Sequence, residues 1–193
     1  MTITAGILFR EEPYTGLDEL KEERMDKISS SHQNSAIDEI PDIEEDEFVE
    51  RTMNAVGLNI PSFDYDKLRK EEYGSPGNER LRVKLLVSGN VDLLEYPPET
   101  DFSQVEVDDV DGHWLEWRVS IEEKTGDEVS REIEEKLEEL QEGLDALRPR
   151  LEEVNDELRE QAREEYQTRM EKTQQHSETI ENIDVTTPDE KED

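Results

Sequence analysis

The longest periodic pattern of apolar residues lies near the end of the chain and predicts a helix over residues 125–176. From Ile133 to Leu158, apolar side chains recur alternately after four and three residues, which is the a/d pattern of a coiled coil. Thr125 and Glu128 form a capping-box pattern at the start of this helix. The apolar positions, called the seam below, are Ile133, Leu137, Leu140, Leu144, Leu147, Leu151, Val154 and Leu158.

The position of Pro149 leaves two interpretations of this helix open. A proline inside a helix removes a backbone hydrogen bond and kinks the helix, at a cost of about 3 kcal/mol. The segment could therefore form one kinked helix or an antiparallel helical hairpin. The heptad phase continues through Pro149 without a slip and places the proline on the outer face of the seam. This continuity favours one kinked helix.

A second pattern, with a period of two, predicts strands over residues 81–124. Asp111-Gly112 indicates a type I′ hairpin turn, because both central positions of that turn need a positive φ. We expect these strands to form a small antiparallel β-meander, which needs a covering element because a small sheet is marginally stable alone. The first predicted strand alternates through Leu81, Val83, Leu85 and Val87, and the return strand carries on one face His113, Leu115, Trp117, Val119 and Ile121.

The first 62 residues predict a short strand over 2–9 and then two helices. The second helix runs from Asp42 to Val56 and is the expected cover for the sheet. Gly57 follows the last periodic residue, so it is expected to end that helix in the left-handed conformation. Residues 63–80 are charged and contain Gly74-Ser75-Pro76-Gly77, which we interpret as a linker.

Together these elements predict an α+β fold with N-terminal helices, a small antiparallel β-meander and a long C-terminal helix of the coiled-coil type. Runs of strands and helices that do not alternate are typical of this class. The expected parts are an N-terminal helical segment (1–62), a linker (63–80), a β-meander packed with the N-terminal helices (81–124), a long helix or helical hairpin (125–176) and a disordered acidic tail (177–193).

The charge of the chain indicates the salt concentration at which such a fold is stable. The chain has 55 acidic and 22 basic residues, which gives a formal net charge of −33. Self-repulsion at that charge opposes a compact state, whereas molar salt shortens the Debye length to about 3 Å and removes most of it. Low hydrophobicity with high charge also fits disorder. The acids are spread over the whole chain, however, in a composition that resembles haloarchaeal proteins, so we predict a halophilic, archaeal protein.

Composition also excludes several classes of site and partner. The chain has no cysteine, so it forms no disulfide and no thiolate metal site. The N-terminal residues lack the basic segment of a signal peptide, and no apolar run reaches the roughly 20 residues that a membrane span needs. The acidic balance argues against direct binding to nucleic acid or to an anionic membrane. We therefore predict a cytoplasmic protein that contacts neither.

No pattern of residues points to catalysis. His32, His113 and His176 have no partners at metal-ligand spacing. Asp109-Val110-Asp111-Gly112 is similar to part of a calcium loop, but the twelfth position would then be Arg118 instead of a glutamate. Among so many carboxylates, adjacent acids are expected on a solvated surface. We predict no catalytic, cofactor or metal site, and a protein that is not an enzyme.

Two features are candidates for partner binding. The first is the seam, in particular Leu137, Leu140, Leu144, Leu147, Leu151, Val154 and Leu158. It could bind a second protein or a second copy of the chain, or it could pack on the protein's own elements. The second feature is Trp114, which lies on the strand face opposite Trp117 and is expected to be partly exposed unless a helix covers that face. Exposed tryptophan is enriched at binding hot spots.

The order of parts resembles an uncharacterised family of small prokaryotic proteins. The matching residues are Asp46-Glu47-Phe48-Val49-Glu50, Ile60-Pro61, Leu93-Leu94-Glu95-Tyr96-Pro97-Pro98, and Leu147 to Leu158 with Asn155 inside. The likeness covers roughly residues 15–172. It implies a small sheet followed by a long helix and carries no known activity.

The leading functional hypothesis is a non-catalytic interaction protein, an accessory or assembly subunit that docks through its C-terminal coiled coil in a halophilic cytoplasm. One alternative is an acidic mimic of nucleic acid that blocks a DNA-binding partner. The other is a metal-dependent enzyme that uses clustered carboxylates.

Overall fold

The computed structural model describes residues 3–9, 16–31, 43–75, 77–98 and 104–182. Three helices and one sheet make up this part of the chain, which confirms the predicted α+β class. The elements in chain order are β1 (Ile3–Leu8), α1 (Gly16–Ser31), α2 (Glu45–Val56), β2 (Ser62–Ser75), β3 (Asn78–Ser88), a 3-10 helix (Val91–Glu95), β4 (Val105–Asp111), β5 (Trp114–Ser120) and α3 (Gly126–Glu181).

The five strands form one antiparallel sheet in the order β1-β4-β5-β3-β2. Two hairpins, β2–β3 and β4–β5, are joined by the pairing of β3 with β5. The sheet is therefore not the sequential meander that the alternation predicted, because β5 lies between β3 and β4. A connection that contains the 3-10 helix is long enough to carry the chain from β3 to the far side of β5.

The predicted linker over residues 63–80 is wrong, because β2 and the start of β3 occupy it. β2 is an edge strand whose residues are exposed or half-buried on both faces. A strand without a buried face has no period-two apolar signal, so its charged sequence is typical of a linker as well. Gly74 and Gly77 lie at the hairpin end with φ of 119° and 81°. A Cβ atom at Gly74 would collide with the carbonyl oxygen of Asn78.

The β4–β5 hairpin forms where the sequence predicts it, but with a different turn. Asp111 pairs with Trp114, so Gly112 and His113 are the two central residues. Gly112 has a φ of 60°, whereas His113 is not among the residues with positive φ. A glycine with positive φ at the first central position fits a type II′ turn instead of type I′.

α3 is one continuous helix of 56 residues with Pro149 inside it, so the helical hairpin is wrong. Pro149 is exposed, in agreement with its predicted place outside the seam. The helix extends to Glu181, beyond the predicted end, which shortens the expected disordered tail; residues 183–193 of that tail lie outside the described residues.

The predicted capping box at the start of α3 is confirmed. The amide of Glu128 donates to Oγ1 of Thr125 at 3.3 Å, and Oε2 of Glu128 accepts from the amide of Thr125 at 2.7 Å. These reciprocal hydrogen bonds satisfy two donors that a helix start otherwise leaves unpaired. The Thr125 amide and the Thr125 hydroxyl both donate to the carboxylate, and these two bonds hold the pKa of Glu128 below its ordinary value.

The chain divides into two compact units, and the first comprises Met1–Lys21 and Leu58–Asn155. It contains the sheet and the first half of α3, which covers the apolar face of the sheet. Oη of Tyr65 donates to Oε1 of Gln141 at 2.6 Å, linking β2 to this helix. The buried amide of Asn155 accepts from the N–H of Leu58 at 2.7 Å and donates to its carbonyl at 2.9 Å.

The second unit comprises Glu22–Gly57 and Asp156–Asp193, and so contains α2 and the second half of α3. The rings of Phe48 and Tyr166 lie 5.5 Å apart, and the Tyr166 hydroxyl donates to the carbonyl of Ile43 at 3.0 Å. α2 is thus grouped with this half of α3.

Gly57 ends α2 differently from the prediction. Its φ of −60° and ψ of 153° are extended and not left-handed. Its amide donates to the carbonyl of Met53, and a Cβ atom would lie 2.6 Å from that oxygen. Glycine is therefore needed here for a close approach of the backbone and not for a positive φ.

Candidate binding surfaces

The seam that the sequence predicted to bind a partner is buried within the chain itself. Leu137 alone among its members is half-buried. The buried members are Ile133, Leu140, Leu144, Leu147, Leu151, Val154 and Leu158. An apolar stripe on a helix is stabilised by covering other apolar surface, and this chain supplies that surface. The burial agrees with the interpretation that the seam packs on the protein's own elements; partner binding by these residues stays a prediction.

Trp114 lies on the opposite, polar face of the sheet, which is exposed at several positions. The indole is half-buried, and the guanidinium carbon of Arg69 lies 4.5 Å from the ring centroid. Strand register places Leu86 beside Trp114. Arg69 and Leu86 shield part of the indole, while neighbouring residues such as Arg118 are exposed to solvent.

Among carboxylates such as Glu71, Asp111 and Glu116, this surface, called the Trp114 face below, carries cationic side chains. Five of them come together here on adjacent strands: Arg69, Arg80, Arg82, Lys84 and Arg118. Lys84 lies 2.7 Å from a carboxylate oxygen of Glu116, and the guanidinium carbon of Arg82 lies 5.0 Å from the ring centroid of Tyr73. The rings of Trp114 and Tyr73 are therefore each stacked against an arginine, in the cation–π arrangement.

A cleft of about 600 Å³ opens on the other side of β5, where β4 and β5 separate. The β4–β5 ladder has three pairs and stops at Asp109 and Glu116. Beyond that point β4 continues to pair with β1, and β5 continues to pair with β3. The strand-edge cleft, as we name it, is lined by Glu106, Val107 and Asp108 of β4, by Trp117, Arg118 and Val119 of β5, and by Glu132, Glu135, Lys136 and Glu139 of α3.

The strand-edge cleft is acidic at its rim and has a buried donor in its wall. Five carboxylates and two cations line it. Both cations have partners there, because Lys136 lies 3.1 Å from Glu139 and Arg118 lies 3.9 Å from Asp108. Trp117 is 4% exposed, and its Nε1 has no hydrogen-bond partner among the described residues.

The histidines do not form a site in the described part of the chain. His113 is exposed at the β4–β5 turn and His176 is exposed on α3, while His32 lies outside the described residues. Within the described ranges, no cluster of three or more histidine, aspartate or glutamate residues could hold a metal ion. No helix in those ranges has the length and apolar character to cross a membrane.

No family model, curated protein or solved structure matches this chain. The resemblance to a prokaryotic family therefore stays a prediction.

The strand-edge cleft was not found by reading the sequence. Part of its signal is present there, because Glu132, Glu135, Lys136 and Glu139 recur at the spacing of one helix face. The same spacing is common on any solvated helix. What makes this face distinctive is the end of the β4–β5 ladder opposite it, which depends on strand register.

Proposed function

We propose that this protein is a non-catalytic interaction protein, an accessory or assembly subunit, that contacts a protein partner through the Trp114 face. The observation that supports this proposal is the stacking of the Arg69 guanidinium on the half-buried indole of Trp114. We further propose that it acts in a salt-rich archaeal cytoplasm, since its charge favours a compact state at high ionic strength.

The seam is a poorer candidate for the contact than it was from sequence alone. Its side chains are buried in the chain, so a partner could reach them only after α3 left the elements that it covers. Removing so much apolar surface from its packing is unfavourable. The Trp114 face requires no such rearrangement.

The chemistry of the Trp114 face suits a protein partner. Tryptophan, tyrosine and arginine are the residues enriched at interfaces and at their hot spots. Trp114 and Tyr73 are both present, and each lies under an arginine. The rings are held on paired strands, so little conformational entropy is lost when a partner covers them. A partner with an apolar side chain for the indole and carboxylates for the guanidinium groups would complement this surface.

The test compares two double variants of the tagged full chain in molar KCl. Trp114→Ala with Arg69→Ala removes the stacked pair, and Ile180→Ala with Arg131→Ala removes an exposed apolar side chain and an exposed arginine elsewhere. Each bait is used for capture from a lysate of the source organism, followed by mass spectrometry and light scattering.

We expect the parent chain and the control variant to retain one stoichiometric partner, or a defined self-oligomer, that the Trp114 variant loses. Both variants should unfold cooperatively, which separates loss of binding from loss of fold. If the Trp114 variant keeps the same partner and the same mass as the parent, the proposed surface is wrong.

A further inference from the structure

We propose that the strand-edge cleft binds an extended, basic segment of another protein, which adds as a strand to the free edge of β5. This site is separate from the interaction through the Trp114 face and does not depend on it.

The cleft is bounded by the edges of two strands. Three consecutive residues of β5, from Trp117 to Val119, line it, and so do three consecutive residues of β4. Successive side chains of a strand point to opposite faces, so a wall made of consecutive residues is a strand edge. β5 pairs with β3 at these positions but no longer with β4. A strand with one unpaired side presents N–H and C=O groups that an extended peptide can pair with.

The dimensions of the cleft suit such a segment. Glu132 and Glu139 mark its length along α3, and seven residues of helix span about 10 Å. About three residues of extended chain cover the same distance. Its volume of about 600 Å³ also lies within the range of known ligand sites.

The wall of the cleft contains a donor that the described chain does not satisfy. Trp117 is almost fully buried, and its Nε1 has no acceptor there. Buried polar groups in folded proteins nearly always have a partner. Nε1 itself is buried, so a backbone carbonyl of a segment held in the cleft reaches it only when binding uncovers this edge of the indole.

Charge determines which segment fits. Glu132, Glu135 and Glu139 of α3 face the cleft together with Glu106 and Asp108 of β4. Four of these carboxylates already pair with a cation of the chain: Glu132 with Lys124, Glu135 with Arg131, Glu139 with Lys136 and Asp108 with Arg118. Lysine or arginine side chains of the segment share these exposed carboxylates or replace their partners. The parts of this chain that lie outside the described residues do not provide them, because 10–15, 32–42, 99–103 and 183–193 each contain more acidic than basic residues. The occupant therefore comes from another protein.

The test uses the full chain and two synthetic peptides as probes, Lys-Val-Arg-Val-Lys and its acidic counterpart Glu-Val-Asp-Val-Glu. Affinity is measured by fluorescence anisotropy over a series of KCl concentrations. Site occupancy is followed by the indole N–H resonance of Trp117, which a spectrum of Trp114→Phe distinguishes from that of Trp114.

We expect the basic peptide to bind and the acidic peptide not to bind. The triple variant with Glu132→Gln, Glu135→Gln and Glu139→Gln should weaken binding about tenfold, from the loss of three exposed charge pairs. A matched variant with the same change of charge, made at the exposed Glu152, Glu153 and Glu164, should keep the parent affinity. The Trp117 resonance should shift in the parent chain as the peptide binds.

Strand addition itself is tested with two N-methylated versions of the basic peptide, one at odd and one at even amides. The proposed strand pairs with β5 through one of its edges and leaves its other edge unpaired toward β4, so the version methylated at the pairing amides should lose binding and the other should keep it. Equal weakening by both triple variants, equal binding of both methylated peptides, or an unmoved Trp117 resonance would each overturn the proposal. Trp114→Ala with Arg69→Ala should leave the peptide affinity unchanged, so the two proposed sites succeed or fail separately.

Discussion

Trp114 and Trp117 lie on the same short strand, yet their side chains meet opposite surroundings. Trp117 is 4% exposed among the apolar side chains between the sheet and α3. Trp114 is half-buried under Arg69, on a face with five cationic side chains. The alternation of side chains along β5 separates the two, so one tryptophan stabilises the fold while the other is available to a partner.

The two regions also differ in charge. Cations and carboxylates are interspersed around Trp114, whereas carboxylates outnumber cations around the cleft beside Trp117. A chain with a net charge of −33 therefore presents two surfaces that differ in local charge, one on each side of β5. The difference shows that net charge alone does not describe what this protein can bind.

The largest effect that tests this comparison is expected from truncating the two tryptophans. Trp117→Ala should lower the free energy of unfolding by about 3–5 kcal/mol, because it removes a large buried side chain. Trp114→Ala should lower it clearly less, because only part of the indole is buried and its cation–π pair with Arg69 contributes about 1 kcal/mol. Urea unfolding in molar KCl measures both. Equal losses would mean that β5 does not separate a buried face from an open one.

The next prediction compares a fully buried and a half-buried leucine of the seam on α3. Leu144 is fully buried and Leu137 is half-buried, so Leu144→Ala should cost about 2–5 kcal/mol and Leu137→Ala clearly less. The same urea unfolding experiment on the isolated chain gives both values. If Leu144→Ala instead left stability unchanged and removed a bound partner, the seam would be the docking surface that the sequence predicted.

A smaller effect concerns the first turn of α3, which sets where its carboxylates meet the cleft. Hydrogen bonds from Thr125 lower the pKa of Glu128, so the folded state binds a proton less readily than the unfolded chain. The stabilisation is complete above the ordinary glutamate pKa and is lost as pH falls through the lower folded pKa.

Glu128→Ala should therefore lower the melting temperature at neutral pH, and its difference from the parent should narrow as the pH falls toward about 3. Glu134→Ala, at an exposed position of the same helix, serves as the control and should show no such narrowing. A difference between Glu128→Ala and the parent that stays constant over this range would show that the carboxylate does not act through these hydrogen bonds.

The local elements of the fold could be predicted because their causes are local. Thr125 and Glu128 are three positions apart, so the capping box is visible in a window of four residues. Leu115, Trp117 and Val119 alternate, and all three are buried. β2 was not predicted for the opposite reason: both of its faces meet solvent, so the alternation of Phe63 and Tyr65 ends after two apolar residues in a charged run.

The candidate sites divide in the same way. The partial exposure of Trp114 followed from alternation, and the structure confirms it. The stacking of Arg69 on the Trp114 ring could not be predicted in this way. Arg69 is brought near the ring by the pairing of β2 with β3, and the register of that pairing shifts between Asp64 and Arg69. That irregularity leaves no trace in the spacing of apolar residues.

The sequence by itself determined the long helix, its capping box, the apolar face of the strands and the class of the fold. These features arise from side-chain period and from hydrogen bonds between near neighbours, which depend on a few consecutive residues. Only the tertiary structure decided that β5 lies between β3 and β4, that the seam is buried in its own chain, and that the β4–β5 ladder ends to leave a cleft. Those outcomes depend on which surfaces pack together. The packing free energy comes from contacts between segments that are far apart in the sequence, so a short stretch of residues does not reveal it.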